Sequence, residues 1–242
     1  MNDRITAACS NIKPADKNIM DKAKERQAQL AKPPGSLGVL EDLSIRVAGM
    51  TGKIHNKAEK RRIIVLCADN GVCDEGVSCT PQSVTLSQTI NLTRGLTGAS
   101  SLAKHFGDEV VVVDVGVMSD YNCPAIVNRK IAYGTKNFYL EPAMTREQAE
   151  QAICVGLEMA DKCAEDGVDV IGVGEMGIGN TTTEFRQGSC RLCLLPQRLP
   201  PPELPATEMN ARAGALIRWS GAGTSESTCP KPTAWEHTSL TA

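Results

Sequence analysis

The stretch "VDVIGVGEMGIGNTTT" (168–183) decides how the chain is read. Its first seven residues form a short β-branched apolar run, the pattern of a buried parallel strand over 168–174. Glycine then recurs, and Asn180 and Thr181 stand where a helix would begin. Gly177 and Gly179 let backbone N–H groups approach a ligand, and a helix opening at Asn180 would favour an anion such as phosphate. Glu175, read in the same turn, sits uncomfortably beside a phosphate and suits a ribose hydroxyl or a ring N–H. "GVGEMG" (172–177) also matches G-x-G-x-x-G formally, which raises a dinucleotide-binding oxidoreductase as an alternative. Against that reading, positions 190–197 are "CRLCLLPQ" and carry no acidic residue to close a following strand. The motif also comes third in the strand–helix series, and no P-loop pattern occurs.

Outward from this stretch the chain alternates strand and helix. "RIIVLCA" (62–68) and "EVVVVDVGV" (109–117) read as strands, the second because four consecutive valines suit a sheet better than a helix. Residues 16–30 read as an exposed N-terminal helix. "KPPGSLG" (32–38) is a rigid turn, and Val39, Leu40, Leu43 and Val47 mark one side of a helix ending near Gly49 or Gly52. A helix is expected over 83–105. Another opens at Thr145, whose pairing with Gln148 is a capping box, and runs to about Glu165. Such alternation implies right-handed crossovers and a parallel sheet, an α/β fold. Ligands of these sheets collect beyond the carboxyl ends of the strands. Asp69 with Asn70, Asp114, and Glu175 with Asn180 all fall there, which favours a small-molecule site.

Composition narrows the function class. A formal net charge of −2 gives no electrostatic footprint for nucleic acid. No apolar run reaches the roughly 18–20 residues of a membrane span, and the N-terminus lacks a signal-peptide core, so a cytoplasmic protein is expected. The ten cysteines are spread too thinly for a disulfide framework. Cys67 and Cys154 lie in apolar runs, where a reduced thiol serves as a small hydrophobe. His55, His105 and His237 share no motif with a serine or cysteine nucleophile. Asp74 and Glu75 are read either as a solvated turn or as part of the loop's site.

At residue 184 the chain changes character. Residues 1–183 hold all 17 valines and all 12 aspartates, whereas 184–242 hold seven of the 13 prolines and both tryptophans. "LPQRLPPPELP" is incompatible with a helix or a central strand. Two readings are open: a natural Pro-rich, disordered tail, or a change of coding frame. Cys190, Cys193, Cys229 and His237 lack the usual spacing of a zinc site, so no metal is expected.

Five motifs then stand in one order: "KPPGSLG" (32–38), "CADNGVCDEGVSCTPQSVT" (67–85), "NLTRGLTGAS" (91–100), "VVDVGV" (112–117) and "GVGEMGIGNTTT" (172–183). Over about residues 16–183 the chain resembles the nicotinate-nucleotide:dimethylbenzimidazole phosphoribosyltransferases. The family usually has a histidine where Asn70 stands. The resemblance implies a Rossmann-like parallel-sheet domain with a small helical domain, here incomplete at the C-terminus, and a homodimer in the full-length family. The domains expected are 1–55, N-terminal helices of the small domain; 56–183, the sheet domain; and 184–242, the atypical tail.

The implied reaction moves phosphoribose from nicotinate mononucleotide to 5,6-dimethylbenzimidazole, with no metal or redox cofactor. By the resemblance Gln88 contacts the benzimidazole and Thr80 and Pro81 line its pocket. Glu175 lies beside base and sugar, and Gly177, Gly179, Asn180 and Thr181 handle phosphate or ribose. The family's principal base is a glutamate in a distal part that no position here matches. Weak or absent turnover is therefore expected, with Glu175 as the substitute base, or a non-catalytic nucleotide- or benzimidazole-binding fragment.

Overall fold

The computed structural model describes residues 2–184. Backbone contacts divide the described residues into two units, the first of residues 2–69, 83–135 and 144–177, the second of 70–82, 136–143 and 178–184.

The first unit opens with α1 (Asp3–Ser10), which the sequence reading missed. Asn2 caps it, and Arg4 pairs with Asp161 at 2.6 Å. Helix α2 (Lys17–Gln29) starts where the Asp16 carboxylate accepts from the N–H groups of Asn18 and Ile19. Helix α3 (Val39–Thr51) packs against α2, burying Ala23, Ala48 and Gly49. Its Val39, Leu40, Leu43 and Val47 are exposed.

A four-stranded sheet follows, made of β1 (Arg61–Ala68), β2 (Glu109–Gly116), β3 (Ile126–Asn128) and β4 (Val170–Met176). All pairings are parallel and the order is β3-β2-β1-β4. The chain thus runs outward from β1 through β2 to β3 and then returns to the other side of β1. That reversal, a topological switch point, lies between β1 and β4.

The single helix expected over 83–105 is two: α4 (Val84–Thr93) and α5 (Gly98–Phe106). Gly95 takes a left-handed φ of 73°, which ends the first helix, and Thr97 starts the second. Thr97 and Ser100 cap each other reciprocally, with serine in the place usually held by Glu or Gln. Helix α6 (Arg146–Glu165) carries the expected Thr145–Gln148 box.

The period of two along β1 and β2 sends side chains to both faces, which explains their continuous apolar runs. Val65, Cys67 and Val112 pack with Leu92 of α4, joined by Ile63, Leu86, Ile90 and Met176. Ile64 and Val113 pack with Val155, Met159 and Cys163 of α6.

Strand β4 begins two residues later than expected and ends two later. Asp169 leads into it with its carboxylate, which accepts from the backbone of Glu59 (3.0 Å) and Lys60 (2.9 Å). Gly172 and Gly174 are therefore strand residues, opposite Ile63 and Val65. Glu175 is a strand residue too, opposite Leu66, and not part of a turn. Among the described residues β4 pairs only with β1, and Val173 is 78% exposed.

At the amino end of the sheet Arg62, 8% exposed, bonds Glu109 at 2.7 Å and Asp166 at 2.8 Å. No described helix is long and apolar enough to cross a membrane.

Candidate active site

The expected site residues divide between the two units. In the first unit Glu175 stands one residue before the end of β4, with Gly177 just past the strand. Its side chain is exposed. Gln88 is half-buried on α4, a helix that packs against β1, β2 and β4. Strand β4 and the helix bearing Gln88 are thus neighbours on the switch-point side of the sheet.

Asp69 and Asp114, which the sequence places at the same strand ends, are both buried. Asp114, in β2, is fully buried. One of its oxygens accepts from the N–H groups of Gly116 (2.9 Å) and Val117 (2.8 Å). The other accepts from the Tyr121 hydroxyl at 2.8 Å and lies 3.6 Å from the Lys130 ammonium. Lys130 also sits 4.4 Å above the Tyr133 ring. Burial first, and then the bond to Asp114, raise the Tyr121 phenol above its ordinary range. Asp69 follows β1 and is 3% exposed. Its Oδ2 accepts from the Met118 N–H at 2.7 Å, while Oδ1 has no hydrogen-bond partner among the described residues. Beside them, burial pushes the Cys67 thiol up to about 11.

In the second unit a 3-10 helix (Gly71–Glu75) follows Asn70. Asn70 is the organiser here. Its side-chain amide donates to the Ile178 carbonyl (3.1 Å) and its amide oxygen accepts from the Thr183 hydroxyl (3.2 Å). Its backbone carbonyl accepts from Gln82 at 3.2 Å. These bonds join the loop of 70–82 to the segment of 178–184.

Gly179 has a φ of 84°, and a Cβ there would stand 2.7 Å from Cys73 Sγ, so both backbone conformation and space demand glycine. A helical turn starts at Asn180, as expected, and its side-chain oxygen accepts from the Thr181 N–H at 2.7 Å. Thr80 and Pro81 line a cavity of about 290 Å³ together with Cys73, Asp74, Ser78, Cys79 and Gln82. Glu75 is exposed, and its carboxylate accepts from the Asn137 amide at 2.6 Å. The first two glycines of the formal dinucleotide pattern, by contrast, lie inside β4 and not in a turn.

Among the described residues, no three His, Cys, Asp or Glu side chains are grouped to hold a metal ion. The described cysteines are all unbridged. Cys190, Cys193, Cys229 and His237 lie outside the described residues, as does the rest of the tail from 185.

The phosphoribosyltransferase family DBI_PRT matches residues 12–186, well over half of the chain. The chain belongs to this family. All eight expected site residues fall inside the segment that matches the DBI_PRT phosphoribosyltransferases, and nearly all of the Pro-rich tail falls outside it. The nicotinate-nucleotide–dimethylbenzimidazole phosphoribosyltransferase of Clostridium tetani is 47% identical over 172 residues, which is 71% of this chain and 48% of that protein. A namesake from Chloroflexus aggregans is 46% identical over 179 residues, covering 74% of this chain and 51% of its own. The crystal structure of the enzyme of that name from Thermus thermophilus superposes with a TM-score of 0.72 at 33% identity, over 88% of this chain and 64% of the other. The α/β fold with its parallel sheet is therefore the family's fold. The chain spans about half the length of the curated relatives it matches.

Proposed function

We propose that the chain serves phosphoribosyl transfer from nicotinate mononucleotide to a benzimidazole, giving an α-ribazole 5′-phosphate and nicotinate in assembly of the cobalamin nucleotide loop. The observation that carries this reading is the place of Glu175. It is a carboxylate near the carboxyl end of the strand that borders the switch point, two residues before the segment of Gly177, Gly179, Asn180 and Thr181.

The chemistry asks little more of the protein. The pyridinium nitrogen of nicotinate mononucleotide carries positive charge before it leaves, so departure needs no acid. The C1′–N bond breaks with its electron pair going to the ring. The sugar carbon becomes cationic, and a nearby carboxylate stabilises that charge. The incoming azole nitrogen forms the new bond from the opposite face, inverting β to α, and its N–H proton goes to a general base. Holding the two rings on opposite faces of one sugar supplies much of the remaining rate.

In this reading Gln88 contacts the incoming base, Thr80 and Pro81 line its pocket, and Gly177 through Thr181 receive phosphate or ribose. Glu175 is an exposed substitute for the family's principal base, so turnover by the 242-residue chain is weak or absent while ligand binding persists. The homodimer and a cytoplasmic setting belong to the same reading.

Calorimetry with nicotinate mononucleotide, paired with an assay for α-ribazole phosphate, tests it. Binding with little product is expected. Near-normal turnover overturns the weak-activity part, and no affinity for the mononucleotide overturns the whole. Titration with NAD separates the dinucleotide alternative.

A further inference from the structure

The Ile178 carbonyl is held by two side chains of one loop. The Asn70 amide donates to it at 3.1 Å, and so does the Cys73 thiol, also at 3.1 Å. A carbonyl oxygen has two lone pairs, so these two donors match its capacity. Loop and turn are also packed closely. A Cβ on Gly179 would meet Cys73 Sγ at 2.7 Å and the Asn70 and Val72 side chains at 3.7 Å. The face of the 178–179 peptide toward residues 70–73 is therefore the carbonyl face.

A trans peptide is planar, and its C=O and N–H point in opposite directions. Fixing the Ile178 carbonyl on the loop thus fixes the Gly179 N–H on the other side. That N–H has no acceptor among the described residues. The donors that follow are spent within the turn: the Thr181 N–H on the Asn180 side chain at 2.7 Å, and the Thr182 N–H on the Gly179 carbonyl at 3.2 Å. The backbone alone does not set this orientation. A peptide that precedes glycine flips at little steric cost, and Gly179, with a φ of 84°, is such a glycine. Flipped, it would present a carbonyl oxygen where the N–H now stands, and that oxygen repels an anion. Each neutral hydrogen bond shifts such an equilibrium by about 2–10-fold, so the two donors together decide which way the peptide faces.

We propose that Asn70 and Cys73 are positioning residues for phosphoribosyl transfer: together they aim the Gly179 N–H at the phosphate of the mononucleotide. This rests on the transfer reading and narrows the role of Gly179 from phosphate or ribose to phosphate. An N–H offers a donor and no acceptor, and its bond to a charged phosphate oxygen is roughly twice as strong as one to a neutral hydroxyl. Asn70 and Cys73 act through the 178–179 peptide and not by touching the ligand.

The test compares nicotinate mononucleotide with nicotinate riboside, which lacks only the phosphate, by calorimetry on the 242-residue chain and on Asn70→Leu, Cys73→Ala and Cys73→Ser. Mononucleotide affinity is expected to fall about tenfold in Asn70→Leu and about threefold in Cys73→Ala, the thiol being the weaker donor, while riboside affinity is unchanged. Cys73→Ser, whose hydroxyl donates in place of the thiol, keeps the mononucleotide affinity. In the parent chain the Gly179 amide proton resonance moves downfield with the mononucleotide and not with the riboside. Equal losses for both ligands overturn the inference, because they show support of the fold alone. Unchanged mononucleotide affinity in Cys73→Ala also overturns it, as does a Cys73→Ser variant that binds no better than Cys73→Ala. Should Asn70→Leu fail to fold, the Cys73 variants decide. A parent chain that binds riboside as tightly as mononucleotide overturns this inference and leaves the transfer reading standing. A parent chain that binds neither brings down the transfer reading and this inference with it.

Discussion

The two ends of the sheet handle charge in opposite ways. At the amino end, Arg62 is buried between Glu109 and Asp166, whose side chains are each about half exposed. Each of these three charges has a partner, and the carboxylates keep contact with water. At the carboxyl end the carboxylates of Asp114 and Asp69 are the buried groups. Asp114 is held by two backbone N–H groups, a phenol and an ammonium, whereas Asp69 keeps one oxygen without a donor among the described residues. Leaving a buried acceptor unmatched costs about 1–3 kcal/mol. A fold tolerates that at a strand end that receives ligands more readily than at the end that only has to hold together. The lesson is that polar burial alone does not mark function; what marks it is where the satisfied and the unmatched groups fall.

The most severe test of this contrast is Asp114→Asn. The shape is kept, but an NH2 replaces one acceptor facing Tyr121 and Lys130, and a loss of about 2–4 kcal/mol is expected in urea unfolding. A loss under about 1 kcal/mol would mean that the network is ornamental to stability.

The alkaline limb comes next. Burial raises the Cys67 thiol from 9.0 to about 11, so the folded chain favours the protonated form more than the unfolded chain does. This stabilisation is full below about pH 9 and is lost as pH rises through about 11, by about 1–3 kcal/mol. Tyr121, raised in the same direction, adds to the decline at higher pH. Denaturation of Cys67→Ala across about pH 8–11 should show a shallower fall than the parent chain.

The smallest effect belongs to the amino end. Arg62→Met fills similar space, and the released carboxylates can be hydrated, so a change within about 1 kcal/mol is expected in the same unfolding assay. A loss matching that of Asp114→Asn would erase the difference between the two ends.

Much of the fold was legible because its signals are local. Four valines at 110–113 and the Thr145–Gln148 pair each announce an element by residue type alone. The break at Gly95 was not, since a lone glycine is tolerated in a helical pattern and Ser100 does not look like the second half of a capping box. Helix α1 packs against α6, where Arg4 meets Asp161 157 residues away, and β3 has only three residues. The start of β4 moved because the Asp169 carboxylate is spent on the backbone of a distant segment.

The candidate site divides in the same manner. Glu175, Gln88 and the glycines are found from motif and strand order. The linking role of Asn70 and the unmatched oxygen of Asp69 depend on which groups arrive from 49 to 113 residues further along the chain, the Met118 N–H, the Ile178 carbonyl and the Thr183 hydroxyl. No local pattern encodes that.

The order β3-β2-β1-β4 also sets a timetable for synthesis. Arg62 of β1 meets Glu109 only 47 residues later, but Lys60 waits 109 residues for Asp169. At about 5–20 residues per second, the second flank of β1 stays unpaired for about 5–20 s after its first residues leave the ribosome. During that interval Ile63, Val65 and Cys67 form one side of a nascent sheet with a free margin, the kind of surface that chaperones bind. Slowing translation between residues 117 and 170 should therefore lower the yield of this protein more than slowing it anywhere before β1.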